Sequence, residues 1–158
     1  MAEQRRGETA SPVPEFGEKA AGQEYRLRPG AYAVLFDTQQ RIAILRTARG
    51  GFLPGGGSEP GETPEQTLAR EVQEECGFAV RILERLGEAI EYVYAAEEAA
   101  YFAKRGVFFR AALAGEEGTA REGNSALLWL MPEQAVTALA HGSQVWAVRK
   151  AVAAGEEG

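Results

Sequence analysis

One cysteine and one histidine occur in 158 residues. A lone thiol, Cys76, cannot close an internal disulfide and suits a reducing compartment, so a cytoplasmic location is expected. No apolar run approaches the roughly 20 residues that cross a bilayer. The opening stretch MAEQRRGETASPVPEFGEKAAG has no apolar core of signal-peptide length. Membrane partners are therefore not expected. Positive charge is also scarce: 17 Lys and Arg face 23 Asp and Glu, a net charge of -6. That excludes broad, salt-driven binding of a nucleic-acid polymer. It leaves open a small polyanionic substrate, because a metal ion can supply positive charge locally. With 45% hydrophobic residues, the chain is long enough for one real core and too short for two domains.

Residues 1–22 are polar and aperiodic and read as an N-terminal tail or loose first element. Residues 23–154 read as the folded domain and 155–158 as a C-terminal tail. Tyr25–Arg28 alternates like a short strand before a Pro29-Gly30 turn. Ala31–Phe36 and Arg41–Arg46 read as the two arms of a hairpin around Asp37–Gln40. Ala48–Gly61 reads as a glycine-rich loop. Strands are expected at 78–83, 87–94, 107–113 and 127–130, with 97–105 a helical turn or long loop. Helices are expected at 64–76, from 132 to about 140, and from about 144 to 153. Such mixing indicates a layered α/β domain.

The helix over 64–76 is sharply punctuated. Thr63 is a good N-cap, Pro64 suits the first helical position, and Gln66 can close a capping box. Gly77 is a natural stop. At about 100° per residue, Leu68, Ala69, Val72 and Cys76 form a buried stripe, and Glu71, Glu74 and Glu75 share the adjoining sector. A solvated acidic face is the plain explanation. Against it, like charges at i,i+3 and i,i+4 repel, and acids near a helix C-terminus oppose the macrodipole. A hard divalent cation held by oxygen ligands accounts for the cluster as well. Just upstream, Gly55-Gly56-Gly57 lets backbone approach a ligand without Cβ clashes. No Gly-Lys-Ser/Thr follows, so this is not a P-loop.

The run Gly56-x5-Glu62-x7-Arg70-Glu71-Val72-x-Glu74-Glu75-x-Gly77-Phe78 resembles the Nudix box, Gx5Ex7REUxEExGU, with U a bulky aliphatic residue. Every fixed polar and glycine position is met. Phe78 is the one departure, aromatic where the pattern is aliphatic. GETPEQTLAREVQEECG is especially similar to the MutT-like branch of the Nudix hydrolases. The resemblance implies an α/β/α sandwich with a mixed sheet and hydrolysis of a pyrophosphate linkage in a nucleoside diphosphate derivative. Its expected cofactor is Mg²⁺, with Mn²⁺ as an alternative. It makes Glu74 and Glu75 the main metal ligands, Glu71 a ligand or base, and the Gly55 carbonyl a backbone ligand. Glu62 and Arg70 become a supporting pair that orients the helix carboxylates.

The resemblance also points to a catalytic or metal-binding Glu shortly before a tryptophan. Glu122 precedes Trp129 in that way. A solvated loop glutamate is the ordinary reading, and Glu116 and Glu117 have weaker claims. A base one step removed from the metal accepts a proton more readily than a direct ligand, which favours Glu122 over Glu71 as general base. Arg46, with Gly56 and Gly57, is a candidate phosphate contact, or it merely ends a strand. Tyr94 lies 16 residues past Phe78, where dinucleoside polyphosphate hydrolases carry a tyrosine; core packing is the competing role. Lys104 and Arg105 serve a longer polyphosphate or are surface charge. His141 sits at a helix end in a capping or surface role.

The expected activity is a metal-dependent, MutT-like nucleoside triphosphate pyrophosphohydrolase acting on a small nucleotide or polyphosphate. The alternatives are a dinucleoside polyphosphate (or diphosphoinositol polyphosphate) hydrolase and a non-catalytic nucleotide sensor. Trp146 and Val148–Val152 read as core or subunit contact, which leaves a homodimer open.

Overall fold

The computed structural model describes residues 12–114 and 126–157. Eight strands form one mixed sheet: β1 (Glu15–Phe16), β2 (Tyr25–Phe36), β3 (Ile42–Thr47), β4 (Gly50–Phe52), β5 (Gly55–Gly57), β6 (Val80–Ala95), β7 (Ala100–Leu113) and β8 (Ala126–Leu130). Three helices complete it: α1 (Pro64–Cys76), α2 (Pro132–Ala138) and α3 (Gly142–Glu157). The strand order is β1-β6-β7-β2-β3-β4, with β5 also on β2 and β8 also on β3. β2 and β7 run parallel in unbroken register from Tyr25↔Tyr101 to Phe36↔Ala112.

Side-chain alternation along β2 divides the core in two. Ala31, Ala33 and Leu35 point to the face covered by α1, where Leu68, Val72 and Cys76 meet them together with Ala43, Leu45 and Phe109. Tyr32, Val34 and Phe36 point to the other face, against Ile42, Ile44, Phe108 and the apolar sides of α2 and α3. The layers are therefore helix, sheet, helix, as the resemblance implied. Leu68 and Val72 are wholly buried, and each contributes roughly 1.5–3 kcal/mol.

Helix α1 begins and ends where its chemistry requires. The Thr63 side chain accepts from the Gln66 backbone N–H at 3.1 Å, and the Gln66 side chain accepts from the Thr63 N–H at 2.9 Å. Gly77 stops the helix in the left-handed region at φ 77°, its N–H donating to the Gln73 carbonyl. A side chain there would strain the backbone.

Several local expectations are corrected. Residues 15–16, placed in the tail, form β1, and the Pro14 carbonyl accepts from Ile90 N–H at 2.9 Å. Pro29-Gly30 makes no turn: β2 runs straight through it. Pro29 has no N–H to give the ladder, and its carbonyl accepts from Ser58 N–H at 2.9 Å. Gly55–Gly57 is not loop but β5, paired antiparallel with Gly30–Tyr32. The two strands expected at 78–83 and 87–94 are one, β6, with register shifts between Ile82 and Glu84 and between Arg85 and Gly87. Bulges of this kind break the alternation that sequence reading relies on. The segment 97–105 is a single 3₁₀ turn at Ala96–Glu98 followed by the start of β7.

Candidate functional site

The segment Glu59–Glu62 and the first two turns of α1 are tied together by Glu62. Its Oε2 accepts from Arg70 Nε at 2.7 Å, and its Oε1 from Arg70 Nη2 at 3.0 Å. Oε1 also accepts from the Glu59 backbone N–H at 2.9 Å and lies 2.9 Å from Thr67 Oγ1. Thr67 is fully buried and carries one hydroxyl proton. A carboxylate only accepts, so that proton goes to Glu62 and the Ser58 hydroxyl, 2.8 Å away, donates to Thr67. The Arg70 hydrogen bond, then the backbone bond at Glu59, pull the Glu62 carboxyl down to about 2. Arg70 is driven upward in turn, chiefly by its hydrogen bond to Glu62. A two-pronged guanidinium–carboxylate pair is among the more directional contacts available.

Arg70 does more than hold Glu62. Its Nη2 donates to the Gly57 carbonyl at 3.0 Å, fastening the end of β5 to the helix. Its Nη1 lies 3.2 Å from Glu71 Oε2 and 3.5 Å from Glu74 Oε1. Glu75 reaches the other end of β5 and accepts from the Gly55 N–H at 3.0 Å. The glycine strand therefore lies between an arginine at one end and a carboxylate at the other. A Cβ at Gly56 would stand 2.6 Å from the Glu71 carboxyl carbon, so the backbone and this carboxylate are in direct contact.

The carboxylates are electrostatically uncomfortable. Glu75 is pushed up to about 7, first by burial and then by Glu71 and Glu74, against the opposing Gly55 hydrogen bond. Glu71 is also raised, first by burial, with Arg70 opposing. Tyr32, directly across from Gly55 in the sheet, is pushed up to about 12 by burial and by the charges of Glu71 and Glu75. Half-buried, mutually repelling carboxylates such as Glu71 and Glu75 are oxygen donors of the kind that a hard divalent cation takes. As their side chains stand, no three His, Cys, Asp or Glu groups among the described residues converge tightly enough to hold an ion. Arg70 draws Glu71 and Glu74 toward itself, and Gly55 holds Glu75. The donor types, carboxylates beside a backbone carbonyl, are those a hard divalent cation takes.

Gly55, Gly56, Gly57, Glu62, Arg70, Glu71, Glu74 and Glu75 are thus brought together. Arg46 stands apart, exposed at the end of β3 opposite Gly51, with no ion pair among the described residues. Tyr94 is 55% exposed and stacks on Tyr101 at 4.8 Å. Tyr101 lies in register with Tyr25, seven residues along β2 from Tyr32 and its partner Gly55, so Tyr94 is far from the glycine strand. Glu122, with Glu116 and Glu117, lies outside the described residues.

Two features escaped sequence reading. Tyr32 looked like one more residue of a buried strand. A second ionisable group lies on the α3 side of the sheet. Glu91, buried, accepts from the Ser143 N–H at 2.9 Å and faces Lys104 across the β6–β7 ladder. His141, 3.8 Å from Glu91, packs its ring on Phe52 at 5.2 Å. Burial lowers both His141 and Lys104. The sequence did carry a signal: Glu91 shares its strand face with buried Ala89, an odd place for a charge.

Comparison with known proteins agrees with this geometry. A family model described as the NUDIX domain matches residues 26–150. An 8-oxo-dGTP diphosphatase of Proteus vulgaris is 45% identical over 56 residues, which are 32% of this chain and 50% of that protein. The chain therefore matches half the length of that curated relative. Among solved structures, a binary complex of a C. elegans Ap4A hydrolase aligns with TM-score 0.68 at 18% identity, covering 83% of this chain and 99% of that one. An E. coli dihydroneopterin triphosphate pyrophosphohydrolase aligns at 0.64 and 18% identity, covering 80% and 95%. The MutT protein of Methanosarcina mazei Go1 aligns at 0.63 and 17% identity, covering 85% and 96%. At these identities the structures speak to the fold.

Proposed function

The chain belongs to the Nudix family, and from that premise we propose that it is a metal-dependent hydrolase of a nucleotide pyrophosphate linkage, with nucleoside triphosphates as its first substrate class. The observation that carries this reading is Glu71 and Glu75 of α1 set against the glycine strand, with Glu74 beside them on Arg70 and the Glu62–Arg70 pair behind. A domain that only sensed nucleotide would have no use for three mutually repelling acids at one site. The triphosphate preference is supported by the local similarity to the diphosphatase from Proteus vulgaris.

Family members generally use divalent metal ions. Here Glu71, Glu74, Glu75 and the Gly55 carbonyl would hold Mg²⁺ or Mn²⁺, which supplies charge neutralisation of the diphosphate and activation of water. The chain's own groups do the rest. Gly56 and Gly57 let the phosphates approach the backbone. Arg70 keeps β5 and the helix carboxylates in fixed relation through Gly57, Glu71 and Glu74. Water adds to one phosphorus, the bridging P–O bond breaks, and the proton released from water passes to a carboxylate. We assign that carboxylate to Glu122, with Glu71 as the competing choice, because Arg70 restrains Glu71. A cytoplasmic location belongs to the same reading, resting on the free, buried thiol of Cys76. Among the described residues no helix is long and apolar enough to cross a membrane.

The test is a panel of nucleoside triphosphates, oxidised nucleotides, nucleotide sugars and dinucleoside polyphosphates, assayed with Mg²⁺ and with excess chelator. Turnover that needs metal, and that falls roughly 10²–10⁴-fold in Glu122→Gln at saturating substrate, supports the assignment. Near wild-type rates in Glu122→Gln with a large loss in Glu71→Gln would move the base to Glu71.

A further inference from the structure

Two residues, Leu53 and Pro54, carry the chain from β4 into the glycine strand, and both are buried. Backbone donors are scarce in this stretch. Proline has no N–H, so over residues 53–55 only Leu53 and Gly55 have one to give. Each gives it to a side chain of a helix, and the two helices lie on opposite faces of the sheet. The Gly55 N–H donates to Glu75 of α1 at 3.0 Å. The Leu53 N–H donates to Oε1 of Gln144, in the first turn of α3, at 2.8 Å. Between them the Pro54 carbonyl accepts from the Ala33 N–H at 2.9 Å. The strand β5 pairs with β2 over Gly55–Gly57 alone, so these bonds add to a short ladder.

Gln144 is itself firmly held. It is 4% exposed. The Ser143 N–H beside it donates to the buried carboxylate of Glu91 at 2.9 Å, and its own N–H donates to the His141 carbonyl at 3.1 Å. One turn further along α3, Val148 is buried in the core against the sheet. A glutamine that merely satisfies a buried backbone donor is the ordinary reading. Its place in the chain argues for more. Pro54 has a fixed φ, so the Leu53 bond is passed rigidly to Gly55. Gly55 stands at φ +142°, a region open to glycine and to little else, so its own sterics do not set the direction of its carbonyl. That direction is set by what grips the backbone on either side.

We infer that Gln144 is a positioning residue: through Leu53 and Pro54 it fixes the Gly55 carbonyl from the face of the sheet opposite to α1. The inference rests on the reading of that carbonyl as a metal ligand and extends it to a residue that touches neither metal nor substrate. The frame of the site then includes α3 and the Glu91 carboxylate that anchors its first turn, as well as the Glu62–Arg70 pair on the α1 side.

The experiment measures Mn²⁺ binding to the substrate-free full chain, by electron paramagnetic resonance of the unbound ion. It compares wild type with Gln144→Met, Gln144→Asn, Gln144→Glu and Val148→Ala. Methionine keeps the length of glutamine and loses the acceptor, and asparagine is one methylene shorter. Glutamate keeps an acceptor whether charged or protonated. Val148→Ala loosens the packing of α3 and leaves the Leu53 bond alone. Circular dichroism checks folding, and either Gln144→Met or Gln144→Asn suffices. Mn²⁺ affinity should fall about tenfold in Gln144→Met and Gln144→Asn, the cost of losing a group that orients a metal ligand. It should stay close to wild type in Gln144→Glu. In Val148→Ala the Tm should drop and the affinity should not. Exchange of the Gly55 amide, followed by NMR without metal, should quicken in Gln144→Met and hold its wild-type rate in Gln144→Glu. Wild-type affinity in Gln144→Met and Gln144→Asn would overturn the inference and leave the metal site standing. So would a loss in Val148→Ala as large as theirs, which would reduce Gln144 to one more contributor to stability. Absence of Mn²⁺ binding by wild type would overturn the metal reading and this inference with it.

Discussion

Glu62 and Arg70 meet through two hydrogen bonds, of 2.7 and 3.0 Å, across the junction between the glycine strand and α1. The same arginine holds the Gly57 carbonyl and approaches Glu71 and Glu74. Removing it should loosen the geometry of the site without deleting an oxygen ligand. Arg70→Ala is therefore expected to lower kcat roughly 10–100-fold, the usual cost of losing a group that orients metal ligands. Steady-state kinetics across a Mg²⁺ titration would check this. Full activity in Arg70→Ala would remove the pair from the account. Arg70→Lys should recover only part of the rate, because an ammonium cannot grip Glu62 with two parallel bonds.

The pH behaviour of Glu62 follows from the same pair. Its folded-state carboxyl sits at about 2, below an ordinary value of 4.5. The folded state therefore binds this proton more weakly than the unfolded chain does. The stability that the charged carboxylate contributes is fully present above about pH 4.5 and is lost as pH falls through 2. Glu62→Gln should be less stable than wild type at neutral pH, and the difference should shrink across that window. Denaturant unfolding of both proteins at several pH values measures it. A difference that is constant down to acid would show that the Glu62→Gln substitution removes something other than charge.

Much of α1 was legible from residue types, because caps are local. Thr63, Pro64, Gln66 and Gly77 each act within four residues of their position. The joining of the box residues was legible only through the family resemblance; spacing put the acids on one face but could not show that Glu75 bonds Gly55. The glycine strand was missed because three glycines carry no side-chain alternation, and β5 exists through pairing with Gly30–Tyr32, more than twenty residues upstream. The parallel match of β2 with β7 is likewise non-local. The spacing that singled out Tyr94 could not show that β6 carries it beside Tyr101, in line with Tyr25 rather than with Tyr32.

Gly56 and Gly55 should respond differently to a methyl group. At Gly56 the added Cβ meets the Glu71 carboxyl at 2.6–2.9 Å, the far end of a side chain that can swing away. Gly56→Ala is expected to fold, with a depressed rate and weaker metal binding, because Glu71 is displaced. At Gly55 the backbone has φ +142°, and a Cβ would lie 2.2 Å from the Ala31 carbonyl oxygen. Gly55→Ala should lose stability by roughly 1–3 kcal/mol or more. Thermal melts and metal titration of the two variants separate the effects. Equal stability losses would contradict the difference in contacts.

Glu75 gives a prediction of opposite sign. Burial first, with Glu71 and Glu74, lifts its carboxyl to about 7, so the folded state binds the proton more tightly than the unfolded chain does. Without metal, wild type should gain stability as pH falls from about 7 toward 4.5. A glutamine amide can still accept from the Gly55 N–H and carries no charge. Metal-free Glu75→Gln should therefore be the more stable protein at pH 8, by on the order of 2 kcal/mol. The gap should close on acidification. Calorimetry in chelator at pH 8 and pH 5 would show it, and a Glu75→Gln protein that is less stable at pH 8 would mark Glu75 as structural.

The most direct test of the central claim is ³¹P NMR of a nucleoside triphosphate incubated with the full chain, with Mg²⁺ and again with excess chelator. The account requires nucleoside monophosphate and inorganic pyrophosphate to appear together in equal amounts with Mg²⁺, and neither to appear in chelator. Release of orthophosphate and nucleoside diphosphate, or undiminished turnover in chelator, would contradict it.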